Sequence, residues 1–332
     1  MIAALPLTAR VAMALLVCMP LQPASAQAQG DAAQSYPNKA IRVTVGFAAG
    51  GGTDIVARLV AQKLSEGLGQ PVVIENRPGT SGIIGAEHVA RAQPDGYTLL
   101  MSPSGVFVIN PAMYSKLPYS PVRDFAPVSM VANFPLILVV NASQPIKSVK
   151  DLVEQLKARP QSANYSASAA AFQLATELFK IRTGTQMEYI PYKGTNESVN
   201  AVMSGDVLMT FADAGPASGP LKGGKVRGLA VTAPARLAAF PDIPTMAEAG
   251  LTDMEIQLWM GFFAPAGTPP AIVRKLQDEI TRVANLPEIR ERLIGLSVNP
   301  VGSTSEELSR TISTEIARWG AVAKASNIKP TN

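Results

Sequence analysis

Residues 41–47 (IRVTVGF) run straight into Gly50-Gly51-Gly52-Thr53-Asp54, after which Ile55, Val56, Leu59, Val60 and Leu64 recur at helical spacing. A β-branched run, a glycine turn and an amphipathic repeat predict strand, tight turn and helix in that order. The grammar then repeats. Residues 71–75 (PVVIE) read as a strand, Asn76-Arg77-Pro78-Gly79 as a turn, 82–92 as a helix and 97–101 as a third strand. Alternation at this spacing places the chain in the α/β class with a largely parallel sheet. A second α/β unit follows. Strands are expected at 136–140, 164–166, 187–190, 207–211 and 226–231, with helices at 148–158, 172–181 and 195–203 between them. Ser148 and Asp151 form a capping pair at the first of these helices. A buried strand is expected at 256–263 (IQLWMGFF). Helices at 270–283, 287–296 and 305–324 complete the chain, the last carrying Leu308, Ile312, Ile316 and Trp319 on one stripe. With few strands of their own, these tail helices are expected to pack on another domain.

The N-terminus has a different character. Arg10 is the only charge before Asp31, an apolar run covers 11–21, and Pro20 and Pro23 break it ahead of Ala24-Ser25-Ala26. That is the layout of a secretory signal, too short for a bilayer-spanning helix. Cleavage is expected after Ala26, with Ala28 a close second, and the mature chain is expected to be exported and soluble. Val17 precedes Cys18 where lipidation would require a small residue.

Loss of the signal removes the one cysteine, Cys18, and leaves one histidine, His88. No thiol nucleophile, disulfide or Cys-based metal site then remains. Triad and zinc chemistry both need more histidine-centred machinery than His88, read as a solvated helix residue, provides. The sequence therefore predicts neither an enzyme nor a metal or cofactor site. A formal charge of +4 without a dense basic stripe argues against nucleic acid as a partner. The stretch 222–227, with three charges among glycines, reads as a solvated loop.

Candidate binding residues follow the strands. Ala49, Gly50, Gly51, Gly52, Thr53 and Asp54 form a turn whose backbone amides, at a helix N-terminus, favour an anion. The turn is neither a Walker loop nor a dinucleotide fingerprint, since no Gly-Lys-Ser/Thr follows and Ile55 stands where the last glycine would be. It also fits a plain tight turn, with Asp54 as an ordinary first-turn charge. Residues 76–82, with Arg77, Gly79, Thr80, Ser81 and Gly82, and residues 102–105, with Ser102 and Ser104, follow the next two strands. All three loops would meet at the carboxyl edge of a parallel sheet, where ligands bind in open α/β folds. Arg77 suits a carboxylate and equally a surface or interdomain ion pair. In the second unit, Ser166 to Phe172 (including Ser168), Tyr192 to Thr195, and Asp213 lie after strands in the same way. Trp259 suits core or hinge better than ligand.

The run VTVGFAAGGGTDIVARLVAQKLSEGLGQPVVIENRPGTSGIIGAEHVARAQPDGYTLLM resembles the periplasmic solute-binding proteins of tripartite tricarboxylate transporters, the Bug family. Further similar stretches are NPAMYSKLPYSPVRDFAPVS, PYKG at 191–194, GLAVTAPAR at 228–236, FPDIPTMAEAG at 240–250 and LWMGFFAPAGTP at 258–269. The resemblance covers nearly the whole mature chain. It implies a two-domain periplasmic-binding-protein type II fold with a cleft between domains, domain 1 being 36–136 plus 258–332 and domain 2 being 137–257. It implies a periplasmic protein that takes a small carboxylate, gripped by the loops Phe47 to Asp54 and Arg77 to Gly82 and enclosed by hinge closure. Membrane transporter subunits are the implied partners, a sensor kinase the alternative one, and the chain is expected to be a monomer. Two departures matter. Ala48-Ala49 replace the family's usual prolines, which leaves the first loop less rigid. Gln173 stands where a histidine is usual, and the alanines and Phe172 before it make this wall more apolar. A ligand with one carboxylate and a less charged distal part, aromatic or longer aliphatic, is expected.

Overall fold

The computed structural model describes residues 35–330. The signal segment and both cleavage positions lie outside the described residues.

Strand β1 (Ile41–Val45) buries every side chain but Arg42, whose guanidinium reaches Glu75 at 2.8 Å. The glycine turn then leads into helix α1 (Gly52–Leu68), which buries Val56, Leu59, Val60 and Leu64 and stops at Gly69 in the left-handed region. Strand β2 (Val72–Asn76), helix α2 (Ile83–Ala90) and strand β3 (Thr98–Pro103) complete the first unit. β1 lies between β2 and β3, parallel to both. A π-helical turn at Gly105–Ile109 and the short helix α3 (Asn110–Met113) follow.

Strand β4 (Phe125–Asn141) is 17 residues long. The second unit contains α4 (Val149–Ala158), β5 (Asn164–Ala167), α5 (Ala170–Thr183), β6 (Glu188–Pro191), α6 (Thr195–Ser204), β7 (Met209–Asp213), α7 (Ala214–Lys222) and β8 (Val226–Val231). The expected cap is in place, with Ser148 Oγ accepting from the Asp151 amide. β5 is parallel to β6 and β7. Strand β9 (Gln257–Pro265) returns antiparallel to β4 and to β3. Helices α8 (Pro270–Ala284) and α9 (Pro287–Gly295), the two-residue strand β10 (Asn299–Pro300) and helix α10 (Ser305–Ala325) follow.

The sheet is therefore mixed rather than largely parallel. Each flank is parallel, but β4 and β9 run antiparallel through its centre. The first half of β4 pairs with β9 and the second half with β7 and β8, so one strand belongs to both lobes. Sequence pattern finds only the second half of β4. Pro127 and Pro135 interrupt the run, and proline is normally confined to strand edges and bulges. Here the pairing with β9 shifts register between Pro127 and Ser129 and again between Met130 and Ala132. Helix α7 (AGPASGPLK) escapes notice because two prolines and two glycines mask its periodicity.

A further correction concerns 222–227. Arg227 lies on β8, not in a solvated loop, and its guanidinium donates to the carbonyls of Ala142, Gln144 and Ile146. His88 is half-buried, not solvated. The tail helices return to the first lobe. Ile272, Leu276, Ile280 and Val283 of α8 are buried, and α8 packs on α1 and β4. Thr304 and Glu307 form a full capping box at α10, whose Leu308, Ile312 and Trp319 enter the core. Among the described residues no helix is long and apolar enough to cross a membrane.

Candidate functional site

Strand-to-helix turns after β1, β2, β5, β6 and β7 bring five helix N-termini toward the cleft. None of the five has a side-chain cap. α1 opens at Gly51, α2 at Gly82, α5 at Ala169, α6 at Gly194 and α7 at Asp213, each without a side-chain hydrogen bond to its first turn. Helices that open elsewhere are finished differently. Ser148 and Thr304 cap α4 and α10, and α8 and α9 start with proline. Uncapped first turns leave amide N–H groups and the positive end of the helix dipole facing the cleft.

A cavity of about 280 Å³ lies between the lobes. Phe47, Ser81, Ser104, Phe172 and Asp213, all expected from the sequence, line it. Ala169, Ala170, Ala171 and Thr195 contribute the second-lobe wall. Phe134 and Leu258, paired across β4 and β9, form its floor with Val106, Ile109 and Asn110. Phe134, Leu258, Val106 and Ile109 were missed because apolar strand and helix residues carry no polar signal, and Asn110 because its amide is spent on the Ser81 carbonyl and the Tyr119 hydroxyl. A smaller chamber of about 110 Å³ is lined by Gly52, Ile55, Val56, Met260 and Leu296, and shares Phe134 and Asp213 with the first. No lysine, arginine or histidine lines either chamber among the described residues.

The remaining expected residues shape the turns. Asp54 is buried, and its carboxylate accepts from the Gly50 amide at 2.8 Å, Arg58 Nε at 2.9 Å and Asn76 Nδ2 at 2.9 Å. The Arg58 bond, with those of Gly50 and Asn76, outweighs burial and holds this carboxyl down at about 2. Asn76 also donates to the Phe47 carbonyl at 3.0 Å, so Asp54 and Asn76 together fasten the first loop to the second strand. Ala49, Gly50 and Gly51 are exposed at the rim, Gly50 in the left-handed region, and Thr53 is buried. Arg77 is exposed and sits 3.8 Å from Glu75, outside the cavity lining. Gly79, Thr80 and Ser81 form the turn into Gly82. A side chain on Gly82, which has φ +81°, would meet the Phe47 ring at 3.0 Å. Ser81 adopts φ +53° and bonds through Oγ to Tyr114 Oη at 2.9 Å, while its carbonyl accepts from Asn110. Ser102 is buried and donates to the Pro103 carbonyl, and Ser104 Oγ accepts from the Trp259 amide at 3.4 Å.

In the second lobe Ser166 is fully buried and bonds to the Ser198 carbonyl, away from the cavity. Ser168 Oγ lies 3.1 Å from Thr195 Oγ1. Gln173 is half-buried and outside the lining, as is Tyr192, which packs on the β-sheet core. Burial raises the Asp213 carboxyl, with the Thr195 hydroxyl bond opposing.

Fold and cleft together define a two-lobed α/β solute-binding protein. Residues 56–328 match the Tripartite tricarboxylate transporter family receptor. Protein BugT of Bordetella pertussis is 35% identical over 300 residues, covering 90% of this chain and 92% of BugT. The solved structure of R. palustris Rpa4515 with adipate is 36% identical with a TM-score of 0.78, covering 89% of this chain and 100% of the other. MatC from Rhodopseudomonas palustris, with bound malate, is 31% identical with a TM-score of 0.73, covering 87% of this chain and 100% of MatC. The chain belongs to the tripartite tricarboxylate transporter receptor family, whose members are solute-binding receptors rather than enzymes.

Proposed function

We propose that this protein captures a small carboxylic acid between its lobes in the periplasm and presents it to the membrane subunits of a tripartite tricarboxylate-type transporter. The observation that carries the reading is the gathering of five uncapped helix N-termini around a cleft that, among the described residues, no cationic side chain lines. A carboxylate there is held by oriented amides and helix dipoles rather than by an ion pair. Relatives with bound adipate and malate support the ligand class. In this reading the first-lobe loops, 47–54 and 77–82, take the carboxylate. The ligand's distal part faces Phe172, Ala169–Ala171, Phe134 and Leu258, which suits an aromatic or longer aliphatic acid. The lobes divide at 136/137 and 257/258, on the crossing strands, where a hinge would let the second lobe close. Nothing in the cleft favours a sensor role over transport.

The test is a thermal-shift screen of the mature chain against aromatic acids, longer aliphatic acids and short dicarboxylates. A native-state ligand raises Tm by mass action. Shifts with aromatic or longer acids support the reading. Shifts with short dicarboxylates alone keep capture and remove the apolar-wall argument.

A further inference from the structure

Asp213 ends β7 and occupies the N-cap of α7, a position where aspartate normally accepts from the first-turn amides. It makes no such bond. Its carboxylate instead lies on the wall shared by the two chambers, where Oδ1 is buried with no hydrogen-bond partner among the described residues. A buried unpaired carboxylate oxygen is costly and rare in native proteins.

The neighbouring hydroxyls make the same demand. Thr195 acts on Asp213 in the sense of a donor, lowering its carboxyl against the upward push of burial. Ser168 Oγ and Thr195 Oγ1 lie 3.1 Å apart, and with the Thr195 proton turned toward Asp213 the Ser168 hydroxyl is the donor of that pair. With Asp213 ionised, the polar part of the second-lobe wall presents lone pairs and a negative charge. Among the described residues no cationic side chain lines either chamber to balance it.

We propose that Asp213 makes this receptor select acids whose apolar stem ends in a hydrogen-bond donor, a hydroxyl or an ammonium group, over plain fatty acids and over dicarboxylates. A donor on the ligand satisfies the unpaired oxygen, whereas a second carboxylate meets like charge. The proposal rests on the carboxylate-capture reading above and specifies the far end of the same site.

The experiment is calorimetric titration at neutral pH with four matched series of C4–C8 chain length: unsubstituted acids, ω-hydroxy acids, ω-amino acids and dicarboxylates. At the best chain length, a hydroxyl or amino group is expected to tighten binding about ten-fold or more over the unsubstituted acid. Asp213→Asn is expected to erase most of that gain and to improve dicarboxylate binding. Thr195→Val, which reorients the wall without removing its charge, is expected to weaken the hydroxy acids less than Asp213→Asn does. Equal affinity for substituted and unsubstituted acids overturns the donor proposal and leaves carboxylate capture standing. So does dicarboxylate preference that survives unchanged in Asp213→Asn. Failure of all four series to bind overturns both.

Discussion

The Trp259 indole donates its Nε1–H to Glu315 Oε2 at 3.0 Å, joining a crossing strand to the C-terminal helix. On its other side the Trp259 amide donates to Ser104 Oγ in the cavity wall. One residue thus touches both the cleft and the face behind it, where Arg318 and Arg182 also line a groove. Burial pushes the Glu315 carboxyl from its ordinary 4.5 up to about 7, against the opposing pull of Trp259 and Arg318. Between those two values the folded protein binds the proton that the unfolded chain has released. Stability must therefore fall as pH rises through that window and level off above it, by at most about 3 kcal/mol. Melting curves from pH 5 to 8 should show the decline, and Glu315→Gln should flatten it while keeping an acceptor for the indole.

Trp259 also offers a reporter. With Trp319→Phe as background, its fluorescence is expected to change when a bound acid draws the lobes together, because the Ser104 contact and the β4–β9 crossing lie at the proposed hinge. An unchanged spectrum at saturating ligand would mean that the crossing strands do not move.

Asp54 is expected to act by holding the first loop, not by touching ligand. Its carboxyl is lowered to about 2, so its contribution is full at neutral pH and is lost only as pH falls below about 4. Asp54→Ala removes the acceptor of the Gly50 amide and of Arg58 Nε, and leaves Asn76 Nδ2 with the Phe47 carbonyl alone. It should cost about 1–3 kcal/mol and weaken acid binding, while circular dichroism stays native. Unchanged affinity would separate this loop from the site.

Gly85 lies where α2 crosses the end of β1, and a Cβ there would meet Gly46 Cα at 2.7 Å, with backbone on both sides. Gly85→Ala must displace α2 and the Gly82 turn, which packs against the Phe47 ring. The expected outcome is a lower Tm, from a stability loss of about 1–3 kcal/mol for overpacking, with weaker acid binding. A variant with wild-type Tm and affinity would show that this close approach is not needed.

The strand–turn–helix order of both lobes was legible because Val, Ile and Leu at 41–45, 56–64 and 226–231 follow clean periods. Glycine at 50–52 and 82 marked the turns correctly. What stayed hidden shares one cause, local chemistry overruled by tertiary pairing. Pro127 and Pro135 disguise half of β4, yet register shifts admit Pro127, and Pro135 pairs with Gln257. Leu258 read as part of a buried strand and Phe134 fell outside every expected element, and only the β4–β9 register makes them a cavity floor. Arg227 read as loop charge, and three carbonyls of a segment some 80 residues away claim it. Arg77 looked like the natural carboxylate partner. It sits beside Glu75 and outside the cavity lining, and in the proposed reading the anion goes to backbone amides at helix starts that lack a capping side chain.

The central claim is that amides, not cations, hold a carboxylate in the cleft. Calorimetric titration of one tightly bound acid against its methyl ester, at low and at high salt, addresses it directly. The account predicts that the acid binds, that the ester is weaker by at least about ten-fold, and that added salt changes acid affinity little because the site is enclosed. An ester that binds as tightly as the acid would contradict it.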